Sequence, residues 1–83
     1  MRDIISEMIQ LGFSQKEAQG YLSCLELGTA CPQKIGERSG MNRATTYAVL
    51  KGLMKKGLVT PIVIEDRQSY RAEPPSAILT LSR

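Results

Sequence analysis

The chain has 83 residues, 42% of them hydrophobic, and a formal net charge of +3 from 11 Lys and Arg against 8 Asp and Glu. That length supports one small core and no deep, enclosed substrate cleft. With no histidine anywhere, the commonest general base and the usual partner of a nucleophilic side chain are missing, so we expect no enzyme activity, no cofactor and no metal.

In the opening segment Ile4, Ile5, Met8, Ile9 and Leu11 recur at helical spacing and Gly12 supplies a stop, which predicts a leading helix within residues 1–12. Arg2, Asp3, Glu7 and Gln10 punctuate it, and no apolar stretch is long enough to span a bilayer. The expectation is a soluble, cytoplasmic protein without a membrane partner.

Ser14-Gln15-Lys16-Glu17 spells a capping box, in which hydroxyl and carboxylate satisfy each other's orphan backbone amides, with Phe13 as the preceding apolar residue. Ala18, Tyr21, Leu22 and Leu25 then mark the buried stripe of a second helix that Gly28 ends. Pro32 suits the first turn of a short third helix, where its missing amide proton has no partner to lose; Ile35 anchors that helix, Gly40 closes it, and Met41 folds back over the core. Asn42 caps a fourth helix whose inward positions are Thr46, Val49, Leu50 and Leu53, with Gly57 as its end. Thr46 is polar, but its hydroxyl can donate to the Asn42 carbonyl.

From Leu58 the pattern turns β-branched, LVTPIVI, then runs through Glu65-Asp66-Arg67 into Gln68-Ser69-Tyr70-Arg71-Ala72, a two-stranded hairpin with Arg67 at its tip. Pro61 lacks a ladder donor and belongs at an edge or irregularity of the first strand. After the diproline Pro74-Pro75, the residues Ala77, Ile78, Leu79 and Leu81 start a fifth helix. Cys24 and Cys31 are seven apart and match no metal or redox spacing, so they read as buried or half-buried free thiols. Glu65 and Asp66 read as solvated turn residues.

These elements in this order make a mainly α fold with a small β-hairpin: one winged helix-turn-helix domain over residues 1–83. It comprises a leading helix (1–12), a three-helix core (14–56), a wing (58–72) and the start of a C-terminal helix (74–83). Gly36 permits a close helix approach, and Gly40 supplies the left-handed bend between the third and fourth helices.

Charge is unevenly spread. Residues 1–33 sum to −2, residues 59–83 to zero, and residues 34–58 to +5, from Lys34, Arg38, Arg43, Lys51, Lys55 and Lys56 against Glu37 alone. If Thr46, Val49, Leu50 and Leu53 face inward, the outer face of the fourth helix presents Arg43, Ala44, Tyr47, Ala48 and Lys51, with Asn42 and Thr45 near its amino end. That face suits the major groove of double-stranded DNA. Its small residues permit close approach, Arg43 offers a bidentate donor pair, and the methyls of Ala44, Thr45 or Ala48 can touch thymine. Lys34, Lys55 and Lys56 would add sequence-independent attraction to phosphates. Arg67 would add a weak contact from the wing, partly cancelled by Glu65 and Asp66.

Three runs, LGFSQKEAQGYLSCLELG, KIGERSGMNRATTYAVLKGLMKKGLV and YRAEPPSAIL, resemble the amino-terminal winged-helix domain of the TrmB-type transcriptional regulators, mainly archaeal proteins that respond to sugars. The resemblance spans about residues 4–79. It implies binding of operator DNA as a dimer through a recognition helix at residues 42–56, with Arg43, Thr45 and Tyr47 at matching positions. Two departures stand out. Thr46 replaces a family-like valine, and the sugar-binding effector domain that follows in many members has no counterpart here, so no small-molecule effector site is expected in this chain.

A winged-helix domain of this size covers one half-site, so useful selectivity calls for a homodimer. Two apolar surfaces are candidates for joining it: Ile4, Ile5, Met8 and Ile9, and Ile78, Leu79 and Leu81. The alternative is a winged helix that serves as a protein–protein interaction module without DNA binding.

Overall fold

A computed structural model describes residues 3–81, with side-chain surroundings as far as Ile78. The elements are α1 (Ile4–Gln10), α2 (Gln15–Leu27), β1 (Thr29–Ala30), α3 (Pro32–Ser39), α4 (Arg43–Lys55), β2 (Val59–Ile64), β3 (Arg67–Ala72) and α5 (Ser76–Leu81).

Local chemistry sets most helix boundaries. Asp3 caps α1 by accepting from the Ile5 amide at 3.2 Å. The capping box of α2 is complete: the Glu17 amide donates to Ser14 Oγ at 3.1 Å and the Ser14 amide to Glu17 Oε1 at 2.8 Å. Pro32 stands in the first turn of α3, which has no side-chain cap. Gly40 ends α3 in the left-handed region at φ 72°, and the Met41 amide returns to the Gly36 carbonyl at 2.9 Å. Asn42 then caps α4, its side-chain oxygen accepting from the Thr45 amide at 2.8 Å.

The sheet differs from the hairpin expected from sequence. β2 and β3 pair antiparallel from Val59↔Ala72 to Ile64↔Arg67, but β1 joins the other side of β3 through Thr29↔Arg71 and Ala30↔Tyr70, giving the order β1-β3-β2. A two-residue strand carries no readable alternation; it is recruited by the chain direction leaving α2 at Gly28, whose carbonyl accepts from the Ala72 amide at 3.4 Å. Pro61 lies on the edge strand β2, as its missing donor requires. Glu65 and Asp66, both at positive φ (50° and 63°), form the two-residue hairpin turn. Arg67 is therefore the first residue of β3, opposite Ile64, and not the tip.

The four inward positions assigned to α4 are all buried: Thr46, Val49, Leu50 and Leu53. Val49, Leu50 and Leu53 join Ala18, Tyr21 and Cys24 of α2 and Ile35 of α3 in one core. α2 and α4 approach closely at Gly20, where an added Cβ would come within 2.7 Å of Val49 Cγ1. On α2, Leu22 and Leu25 are half-buried, whereas Gly20, Ser23 and Cys24 are buried, so the stripe is rotated from the one read in the sequence. Tyr21 is fully enclosed and its hydroxyl donates to the Glu73 carbonyl, tying α2 to the chain leaving the wing. Burial first, and then the nearby Glu73 carboxylate, push the phenol up to about 12. Burial alone pushes the Cys24 thiol up to about 11.

Two residues assigned to a dimer surface belong instead to this core: Met8 is 0% exposed and Ile78 only 3%. A lone amphipathic pattern cannot distinguish a face turned to its own core from one turned to a second chain. Ile4 and Ile5 are half-buried and pack against the same core, and Ile9 remains exposed. The side chains of Leu79 and Leu81 lie outside the described residues, as do residues 82 and 83 of the expected C-terminal helix.

Candidate nucleic-acid interface

With Thr46, Val49, Leu50 and Leu53 turned inward, the 3.6-residue repeat leaves a continuous outer strip on α4. Asn42, Arg43, Ala44, Tyr47, Ala48, Lys51 and Lys55 are all exposed, and Thr45 is half-buried. The Thr46 hydroxyl donates to the Asn42 carbonyl at 2.8 Å, so the polar exception in the helix is satisfied within it. Arg43 lies one turn before Tyr47, and its guanidinium stands 5.7 Å from the centre of the tyrosine ring. A flat, charged fork held over an aromatic face is preoriented for planar hydrogen-bond acceptors.

The structure brings residues from three elements to this strip. An open groove of about 570 Å³ runs between α3, the first half of α4 and the start of β3. Arg43, Tyr47 and Arg67 line it, so the wing arginine joins the helix face. Gln33, Glu37 and Gln68 line it as well. Sequence reading assigned no site role to those three; for Gln33 and Glu37 the i, i+4 spacing on one face of α3 was the available signal, and for Gln68 there was none. Tyr70, buried on β3, has its phenol raised by burial and then by Tyr47 nearby.

The lysines divide. Lys34, Lys51, Lys55 and Lys56 are all exposed, Lys34 on α3, Lys51 and Lys55 on α4, and Lys56 at its C-cap. Lys56 follows Tyr47 by nine residues, two and a half helical turns, which sends it to the opposite flank at about 100° per residue. Its ammonium stands 5.3 Å over the Phe13 ring, at the junction of α1 and α2. None of the four lysines lines the groove itself, and Lys56 differs from Lys51 and Lys55 in standing on the far flank of the helix. Among the described residues no cluster of side chains suited to a metal ion is present, and no helix is long and apolar enough to cross a membrane.

A tri-helical core with a glycine-bent helix pair, an outward cationic helix face and a hairpin wing within a three-stranded sheet defines a winged helix-turn-helix module. The family model of the sugar-specific transcriptional regulator TrmB matches residues 8–76, and the chain belongs to that family. No curated protein matches it. Among solved structures, that of TrmBL2, described as an archaeal chromatin protein showing a novel mode of DNA binding, superposes with a TM-score of 0.79 at 23% sequence identity. The match covers 93% of this chain and 30% of TrmBL2, and at that identity it shows a shared fold.

Proposed function

We propose that this chain is a sequence-specific, double-stranded DNA-binding domain of a cytoplasmic transcriptional regulator, acting with α4 in the major groove. The observation that carries the reading is the division of α4. The positions that would point at a base edge or phosphate are exposed, apart from half-buried Thr45, and Val49, Leu50 and Leu53 between them are consumed by the core. Arg43 supplies a bidentate donor for a guanine edge, Ala44, Thr45 and Ala48 allow close approach and methyl contact, and Lys51, Lys55 and Lys34 attract the backbone. Arg67 reaches the same surface from the wing.

Titration on duplex DNA across salt concentration tests this. Six or so phosphate contacts weaken binding about a thousandfold between 50 and 200 mM salt. Affinity that ignores salt, or no association, overturns the reading. Selection of bound duplexes from a random pool gives the preferred sequence and the half-site spacing together.

We expect the chain to act as a homodimer, since one helix reads only one half-site. With Met8 and Ile78 inside the core, a dimer through α1 relies on Ile9, flanked by half-buried Ile4 and Ile5. Sedimentation as a monomer at high micromolar concentration overturns that expectation.

One observation favours the second reading, a protein–protein interaction module. Near the wing tip Val63 is 69% exposed and Ile64 45%, beside an acidic turn that phosphates would avoid. Association with a protein partner that survives high salt, in a chain that ignores DNA, would establish it.

A further inference from the structure

Segment 34–58 contains six cationic residues and one acidic residue, Glu37. That single carboxylate lies in the groove, on the exposed face of α3, with Arg43 and Tyr47 of α4 and Arg67 of β3 lining the same space. It is not neutralised by either arginine. Its one side-chain hydrogen bond among the described residues is a long one from Gln33 Nε2 to Oε2 at 3.4 Å, and the described ion pairs, Arg38–Glu26 and Arg71–Glu73, lie elsewhere. An exposed carboxylate at the mouth of a cationic DNA-facing groove opposes the attraction the arginines supply.

We infer that Glu37 is a specificity-determining residue, which discriminates against duplexes held by their phosphates alone. The inference rests on the DNA-binding reading above. What occupies the groove mouth differs between two ways of binding. When the protein rests on the backbone, the mouth meets phosphates, and a carboxylate repels them. When α4 enters the major groove, the mouth meets base edges, where the exocyclic amino groups of cytosine and adenine donate to a carboxylate. Glu37 thus penalises the first mode and tolerates or favours the second, while Arg43 provides the attraction common to both. At low ionic strength, two unit charges about 8 Å apart in water interact strongly enough to change affinity roughly two- to threefold per phosphate, a modest effect that applies at every competing site of a genome.

The test uses the whole chain and two duplexes, one selected from a random pool for tight binding and one of scrambled sequence. E37Q removes the charge and keeps the shape, and Glu37 is exposed, so the fold survives; thermal melting verifies this. E65Q makes the same charge change in the wing turn, outside the groove-lining set. The expected result for E37Q is a two- to threefold or greater gain on scrambled duplex, a steeper salt dependence there, and a smaller ratio of selected to scrambled affinity. E65Q is expected to change that ratio less. Equal effects of E37Q and E65Q, unchanged scrambled-duplex affinity, or an equal gain on both duplexes overturn the inference. If the unmodified chain binds neither duplex, the DNA-binding reading itself has failed, a result read independently of the variants.

Discussion

Gly36 and Thr46 pack so closely that a Cβ added to Gly36 would stand 2.6 Å from Thr46 Oγ1 and 3.1 Å from the Met41 carbonyl oxygen. The helix pair therefore depends on a missing side chain. Thr46 is branched at Cβ and its hydroxyl is engaged with the Asn42 carbonyl, so it has little freedom to withdraw. Gly36→Ala is expected to destabilise the fold by about 1–3 kcal/mol, the range for overpacking, lowering Tm by roughly 4–8 °C per kcal/mol. Adding Thr46→Ala should recover part of the loss. An unchanged Tm in the single variant would show that the helices are not this close.

The capping box of α2 gives a stability effect separable from binding. Ser14→Ala removes the acceptor of the Glu17 amide, an expected loss of about 1 kcal/mol. Denaturant midpoints measure it. Duplex affinity well below the melting range should stay the same, because Ser14 is not among the groove-lining residues.

Arg43→Ala should weaken binding to a selected duplex by about 1–3 kcal/mol and relax the preference at one base pair. Competition among single-base variants of that duplex reads both effects. Uniform weakening without relaxed preference would assign Arg43 to a phosphate.

Lys55 and Lys56 are neighbours in sequence with different surroundings. Lys55→Ala should lower affinity evenly across sequences and flatten the salt slope by about one unit. Lys56→Ala should leave binding nearly unchanged and cost about 0.5–1 kcal/mol of stability through the lost contact with Phe13. The reverse pattern would show that Lys56 faces the DNA.

Alkaline pH should destabilise the fold. Folding raises the Cys24 thiol from an ordinary 9.0 to about 11 and the Tyr21 phenol from 10.0 to about 12. In each case the unfolded chain loses its proton first, so the stability held below the unfolded value drains away as pH rises towards the folded one. The unfolding free energy measured by denaturant titration should fall from near pH 9 upward, by on the order of 1.4 kcal/mol per pH unit for each group while it titrates. Flat stability between pH 9 and 11 would contradict the burial of Cys24.

Much of the helical architecture was legible because its signals are local. Ser14 with Glu17, Gly28, Pro32, Gly40, Asn42 and Gly57 each act on backbone groups within a few residues of themselves, and each stands where the sequence places it. The inward set of α4 followed from the helical repeat, and the outward face is its geometric complement.

Contacts between distant segments were not legible in the same way. The repeat on α1 marks Met8 as apolar but does not say that the surface receiving it is its own core. Thr29 and Ala30 form a strand only because β3 arrives beside them, and the wing turn at Glu65 and Asp66 shifts Arg67 into the ladder and towards Arg43. By itself, then, the sequence determined where the helices start and stop, which side of α4 is apolar and which segment carries the positive charge, since all three arise from neighbours along the chain. Tertiary structure alone decided that Glu37 and Arg67 share a groove with Arg43, and that Lys56 does not, because such proximity depends on how separate elements pack in space.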